Sequence, residues 1–67
     1  MSSIRPEKWL GSAWTAKRPE NGEKHFVVKQ VIPSRECVVL EAISTGRRFE
    51  IAWRELQAGA DWFAGWR

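Results

Sequence analysis

The sequence has little of what most catalytic and metal sites are built from. Its 67 residues contain one cysteine, Cys37, one histidine, His25, and no tyrosine. A single thiol cannot form an internal disulfide, which excludes a disulfide-stabilised secreted scaffold. One Cys and one His cannot supply the three or four ligands of a zinc site, and no glycine-rich phosphate loop is present. We therefore expect neither a metal nor a cofactor.

Long hydrophobic segments are also missing. Apolar runs reach only four residues, in Cys37–Leu40, whereas a membrane-spanning helix needs about 20. The mostly polar segment Met1–Lys8 has neither the apolar core nor the cleavage site of a signal peptide. Together with the single cysteine, these features predict a cytoplasmic protein without membrane partners.

Aromatic and basic residues are what the chain does contain. It has five tryptophans, three phenylalanines and a net charge of +3. A chain this short forms one domain, and large aromatic side chains must supply much of its buried apolar area. We assign residues 1–10 to a polar N-terminal arm and residues 11–67 to a single small β domain.

Apolar alternation and turn signals predict four consecutive strands. They cover residues 12–17, 25–32, 37–44 and 47–53. Residues 18–24 are expected to form a loop in which Asn21-Gly22 supplies the positive φ of a tight turn, as does Gly46 in the later hairpin. The C-terminal part is expected to form short helical turns, at Trp53–Gln57 and at Trp62–Trp66.

The strand order predicts an all-β fold. The second and third strands carry apolar residues on both faces, with Ile32 expected beside Phe26 and Val28, and a bent sheet would bury both faces. Two arrangements fit: an SH3-like or Tudor-like antiparallel barrel, or an open four-stranded meander covered by the C-terminal turns. The predicted core comprises Phe26, Val28, Val38, Leu40, Phe49, Ile51 and Trp53.

Five short sequence segments, several of which contain tryptophan at a characteristic spacing, occur together in this chain. They are Gly11–Thr15, Glu23–Phe26, Arg47–Phe49, Trp53–Leu56 and Trp62–Trp66. Together they resemble a family of short bacterial tryptophan-rich proteins without an assigned function, over nearly the whole chain. The resemblance implies a bacterial, intracellular, stand-alone domain, and it implies no activity or site residues.

Combinations of residues that could perform catalysis are sparse. His25 is the only conventional general base, and it stands beside Lys24 in a predicted strand. Acidic residues mostly adjoin basic ones, as in Arg54-Glu55, which is typical of a solvated surface. A domain of this size seldom encloses a pocket of several hundred Å³. We therefore expect a protein that is not an enzyme.

Tryptophans and cations carry the remaining functional signal. Trp9, near the end of the polar arm, is expected to be the most exposed tryptophan. Cations stand on the first and fourth strands, which become neighbours if the sheet closes. An exposed aromatic and basic surface is typical of a small binding module. The candidate binding residues are Trp9, Lys17, Lys29, Arg47, Arg48 and Arg54.

Two classes of partner fit such a surface. A protein partner would be anchored by Trp and Arg, whereas RNA would stack its bases on the aromatic rings inside a basic groove. The modest charge of +3 and the eight acidic residues favour protein–protein interaction, with RNA binding as the alternative. Self-association through a symmetric interface stays open as a third alternative.

Overall fold

A five-stranded antiparallel sheet organises residues 9–67, the part of the chain that the computed structural model describes. The strands follow in the order β4-β3-β2-β1-β5 across the sheet. Residues 1–8 of the predicted N-terminal arm lie outside the described residues. The elements are β1 (Ala13–Glu20), β2 (Glu23–Ile32), a 3-10 turn (Pro33–Arg35), β3 (Cys37–Ala42), β4 (Arg48–Ala52), α1 (Trp53–Ala58) and β5 (Trp62–Ala64).

The β1–β2 hairpin shows how local sequence determines this sheet. Asn21 and Gly22 have φ values of 55° and 73°, and they form a two-residue turn between the paired residues Glu20 and Glu23. Two consecutive positive φ angles match the right-handed twist of the flanking strands. The turn is confirmed, but the predicted loop over residues 18–24 is too long, because β1 continues to Glu20, which pairs with Glu23 after a register shift that follows Thr15.

Cross-strand pairing defines two faces of the sheet. Leu40 lies opposite both Val28 and Phe49, and Trp14 lies opposite Phe26, so these side chains project to one side. We call this side the core face. The opposite side, the outer face, carries residues such as Thr15, His25, Val39, Glu41, Arg48 and Glu50.

A β-bulge in β2 reverses the faces of its last residues. The register shifts between Val28 and Gln30, after which Val31 pairs with Val38 on the core face. Ile32 therefore projects to the outer face, and its expected place beside Val28 is wrong. One extra residue inverts the alternation of every residue that follows it. The two-sided apolar pattern of β2 thus arises partly from the bulge.

The sheet stays open, with β4 and β5 at its edges. The all-β class and the open antiparallel sheet are confirmed, although the sheet has five strands and not the predicted four. The barrel alternative is wrong, because β1 bonds to β5 and not to β4. The predicted helical turn at Trp62–Trp66 is also wrong: Trp62–Ala64 forms a strand, since the edge of β1 offers backbone partners to its N–H and C=O groups.

The core collects on one face beneath α1. Four predicted core residues are buried, and Phe49, Ile51 and Trp53 are half-buried against them. The helix adds Leu56, which is 2% exposed, and Gly59 ends it with a positive φ of 74°. Within residues 9–67, no helix has the length and apolar character needed to cross a membrane.

Candidate interaction site

Three tryptophans form a stack within the core. Trp9 lies between Trp14 and Trp53, with ring centroids 5.7 Å and 6.5 Å apart and interplanar angles of 13° and 18°. Ser12 connects two of them: its Oγ donates to the Trp9 carbonyl at 2.6 Å and accepts from Trp14 Nε1 at 3.0 Å. Gly11 turns the chain with a φ of 81°, which brings Trp9 back over the sheet.

The expected exposure of Trp9 is therefore wrong. Its side chain is only 9% exposed, whereas Trp66 is 55% exposed. Trp9 follows a polar segment in sequence, but its ring finds two other indoles to cover it, and aromatic rings gain from such mutual packing. A buried ring cannot contact a partner unless the core opens.

A second aromatic cluster borders an open cavity on the core face. Phe26 is buried and packs edge-to-face against Phe49 and Trp62, with centroids 5.7 Å and 5.1 Å apart. The cavity has a volume of about 180 Å³, and we call it the aromatic pocket. Its lining comprises Ala16, Arg18, Glu20, Asn21, Glu23, Phe26, Arg47, Phe49 and Trp62.

A fixed arginine forms one wall of the aromatic pocket. Arg47 Nη2 and Nε donate to the Glu23 carboxylate at 2.6 Å and 2.9 Å, and Thr45 Oγ1 donates to it at 2.6 Å. The hydrogen bond from Arg47 and then that from Thr45 lower the pKa of Glu23 from 4.5 to about 2. The Arg47 guanidinium also lies 4.9 Å from the Phe49 ring centroid. Arg47 is thus held in place while its side chain stays 54% exposed.

The other predicted binding cations lie elsewhere. Arg48 projects to the outer face and donates to Glu41 at 2.8 Å. The predicted meeting of the first and fourth strands is wrong, since β2 and β3 separate β1 from β4. Of the six candidate residues, only Arg47 lines the aromatic pocket. Arg54 forms an ion pair with Glu36, and Lys17 donates to the Gly59 carbonyl. Lys29 lies at the bulge of β2 and is exposed.

Most arginines of the described residues are paired with carboxylates. Besides Arg47, Arg48 and Arg54, the structure pairs Arg18 with Asp61 at 3.5 Å and Arg35 with Glu50 at 3.2 Å. In these five pairs, positive and negative charges alternate over the surface, so neither sign forms a long continuous patch. The paired carboxylates lower the positive electrostatic potential that a basic groove for RNA would need.

The exposed tryptophan lies on the outer face. Thr15, 1% exposed, donates from Oγ1 to the Gly65 carbonyl at 2.7 Å and accepts from the Arg67 N–H at 3.0 Å. These bonds lay the C-terminal residues across the sheet. Trp66 donates from Nε1 to the Phe26 carbonyl at 3.0 Å, and its ring lies 5.7 Å from His25.

Two residues of the site escaped sequence reasoning for different reasons. Glu23 stands beside Lys24, which is the pattern of a solvated surface charge, and nothing local indicates Arg47, 24 positions away. The spacing of Trp62 and Trp66 predicts a helix, although the three residues Trp62–Ala64 also alternate as a strand would. The period alone could not decide, because Trp62 shares one face with Trp66 in a helix and one face with Ala64 in a strand.

Comparison with known proteins gives one result. A family model described as Tryptophan-rich protein (DUF2389) matches residues 12–67. Neither a curated protein nor a solved structure matches the chain.

Proposed function

The chain belongs to the DUF2389 family of tryptophan-rich proteins, and we propose that it is a non-enzymatic module that binds another protein through the aromatic pocket. One observation carries the proposal: Phe49 and Trp62 are half-exposed around buried Phe26, with Arg47 fixed beside them. Trp and Arg dominate the energetics of protein interfaces, and here both border one concavity. The Trp/Arg surface thus comprises Trp62 and Arg47, without Trp9.

The size of the aromatic pocket suits a single protruding side chain. Sites for small molecules measure roughly 300–1,000 Å³, whereas this cavity has about 180 Å³. Its floor is aromatic, and its rim carries the polar residues Arg18, Glu20 and Asn21. An apolar centre within a polar rim is the arrangement of a protein interface. We expect an apolar side chain of the partner to enter it.

The pairing of Arg47 lowers the entropic cost of binding. A free arginine loses rotamer freedom when it meets a partner, at roughly 0.5–1.5 kcal/mol for a rotamer-rich side chain. Glu23 and the Phe49 ring already restrict Arg47 in this fold. The remaining donors of its guanidinium are therefore presented in a fixed direction to a carbonyl or carboxylate of the partner.

Charge favours a protein over RNA at this site. Glu20 and Glu23 line the aromatic pocket together with Arg18 and Arg47, so the four formal charges cancel. An RNA backbone would need unopposed cations along its path, and carboxylates would repel its phosphates. Protein partners tolerate mixed charge at the rim of an interface.

A displayed library of random peptides tests this function. Selection on the wild-type protein should enrich peptides that share an apolar anchor residue. Ala16→Met fills the aromatic pocket and should weaken their binding at least tenfold. Ala13→Met is the matched control, because it adds the same side chain to the outer face of β1, and it should leave binding unchanged.

Labelled single-stranded RNA forms the second arm of that experiment. We expect no RNA affinity beyond weak binding at low salt. If no peptide is enriched and RNA binds with a steep salt dependence, the protein-binding function is wrong and RNA is the partner. Equal loss of peptide binding in both methionine variants would also contradict the assignment of the pocket.

A further inference from the structure

The open edge of β4 presents unpaired backbone groups. Ala42 N donates to Arg47 O at 2.8 Å, and Trp53 N donates to Glu36 O at 3.1 Å, on either side of the β3–β4 ladder. Alternate residues of an antiparallel strand bond to the same neighbour, so Phe49 and Ile51 also bond towards β3. Within the described sheet, the N–H and C=O groups that point away from β3 therefore belong to Arg48, Glu50 and Ala52.

An edge of this kind can pair with another strand, and its side chains decide which one. Arg48 and Glu50 stand two positions apart on the outer face and carry opposite charges. We propose that β4 pairs antiparallel with β4 of a second copy of this chain. Arg48 then lies opposite the partner's Glu50, and Glu50 lies opposite the partner's Arg48.

Charge selects this register among the two-fold symmetric ones. A shift by two residues in one direction would place Glu50 opposite the partner's Glu50. A shift in the other direction would place Arg48 opposite the partner's Arg48. Directly opposed like charges destabilise a strand pair, whereas opposite charges stabilise it. In the favoured register the two-fold axis passes between Phe49 and the partner's Phe49, whose rings meet on the core face.

Existing ion pairs extend the complementarity beyond β4. Arg48 already donates to Glu41 at 2.8 Å, and Glu50 accepts from Arg35 at 3.2 Å. Pairing across the axis would join them into a row of alternating sign, from Glu41 through Arg48 and the partner's Glu50 to the partner's Arg35. The symmetry repeats this row once. Networks of this kind contribute more than isolated surface pairs.

Self-pairing of β4 differs from the proposed binding of a foreign protein, although Phe49 belongs to both surfaces. It uses the backbone of an edge strand, whereas peptide binding uses the aromatic pocket. The two can therefore fail separately: the first is measured on the protein alone, and the second needs a peptide. A β-sheet of ten strands would result, with the short β5 at each end.

Sedimentation equilibrium of the full chain, with two charge variants, tests the dimer. The wild type should reach twice its mass of 7.8 kDa at high concentration. Arg48→Glu and Glu50→Arg each oppose like charges across the axis, and each should raise the dimer dissociation constant at least tenfold. An equimolar mixture of the two variants opposes unlike charges at every position, so it should dimerise again.

Amide hydrogen exchange tests whether β4 is the strand through which the two copies pair. The N–H groups of Arg48 and Glu50 should become protected as concentration rises, while those of Phe49 and Ile51 stay protected throughout. A wild-type protein that is monomeric at millimolar concentration would overturn the proposal. So would a dimer that both variants leave intact, or a mixture of folded variants that does not associate. Far-ultraviolet circular dichroism establishes that each variant is folded.

Discussion

At the scale of single residues, Glu23 links turn, strand and pocket. The Asn21-Gly22 turn places it at the start of β2, where it is 4% exposed. Burial alone would raise the pKa of a carboxyl group, yet hydrogen bonds from Arg47 and Thr45 lower it to about 2. Ionised Glu23 is thus part of the folded structure, and it keeps Arg47 at the wall of the aromatic pocket.

The lowered pKa of Glu23 predicts a specific acid sensitivity. A carboxyl group whose folded pKa lies below its unfolded value stabilises the fold above the unfolded pKa, here near 4.5. That contribution is lost as pH falls from about 5 towards 2. Thermal melts of wild type and Glu23→Gln should therefore differ most near neutral pH and converge as pH falls through 2. A difference in melting temperature that stays constant over this range would contradict it.

At the scale of elements, the tryptophan stack joins three segments of the chain. Trp9 precedes β1, Trp14 belongs to β1 and Trp53 opens α1. The stack fixes the helix and the residues before β1 on one end of the core face. A sheet of this size has few other large side chains with which to close that end.

Removal of the middle ring should cost more than removal of an exposed one. Trp9→Ala leaves a cavity between two indoles and should lower the free energy of unfolding by about 3–5 kcal/mol. Trp66→Ala, the matched control, removes a largely exposed ring and should cost about 1 kcal/mol or less. Urea denaturation, followed by circular dichroism, measures both; equal losses would contradict the burial of Trp9.

Local signals predicted the elements better than their arrangement. The Asn21-Gly22 turn, the inward phase of Phe49 and Ile51 in β4 and the helical turn that begins at Trp53 depend on neighbours in sequence, and all three are confirmed. The bulge in β2 and the strand β5 depend on partners distant in sequence. No periodicity within three residues can show that Trp62–Ala64 pairs with β1.

At the scale of the whole molecule, the five tryptophans lie in three different environments. Trp9, Trp14 and Trp53 stack in the core, Trp62 borders the aromatic pocket, and Trp66 lies on the outer face. Length and composition predicted a small domain with much aromatic burial, and apolar alternation predicted its strands. None of these could predict which ring is accessible, because that follows from the open sheet and from the C-terminal residues crossing it.

The indole N–H signals of the five tryptophans test the central claim most directly. A peptide selected on the wild-type protein is titrated into ¹⁵N-labelled protein, and the indole region is followed by two-dimensional NMR. Binding at the aromatic pocket predicts that the Trp62 signal moves most, while those of Trp66 and the three stacked tryptophans move little. A shift concentrated at Trp66, with Trp62 unchanged, would place binding on the outer face and contradict the pocket.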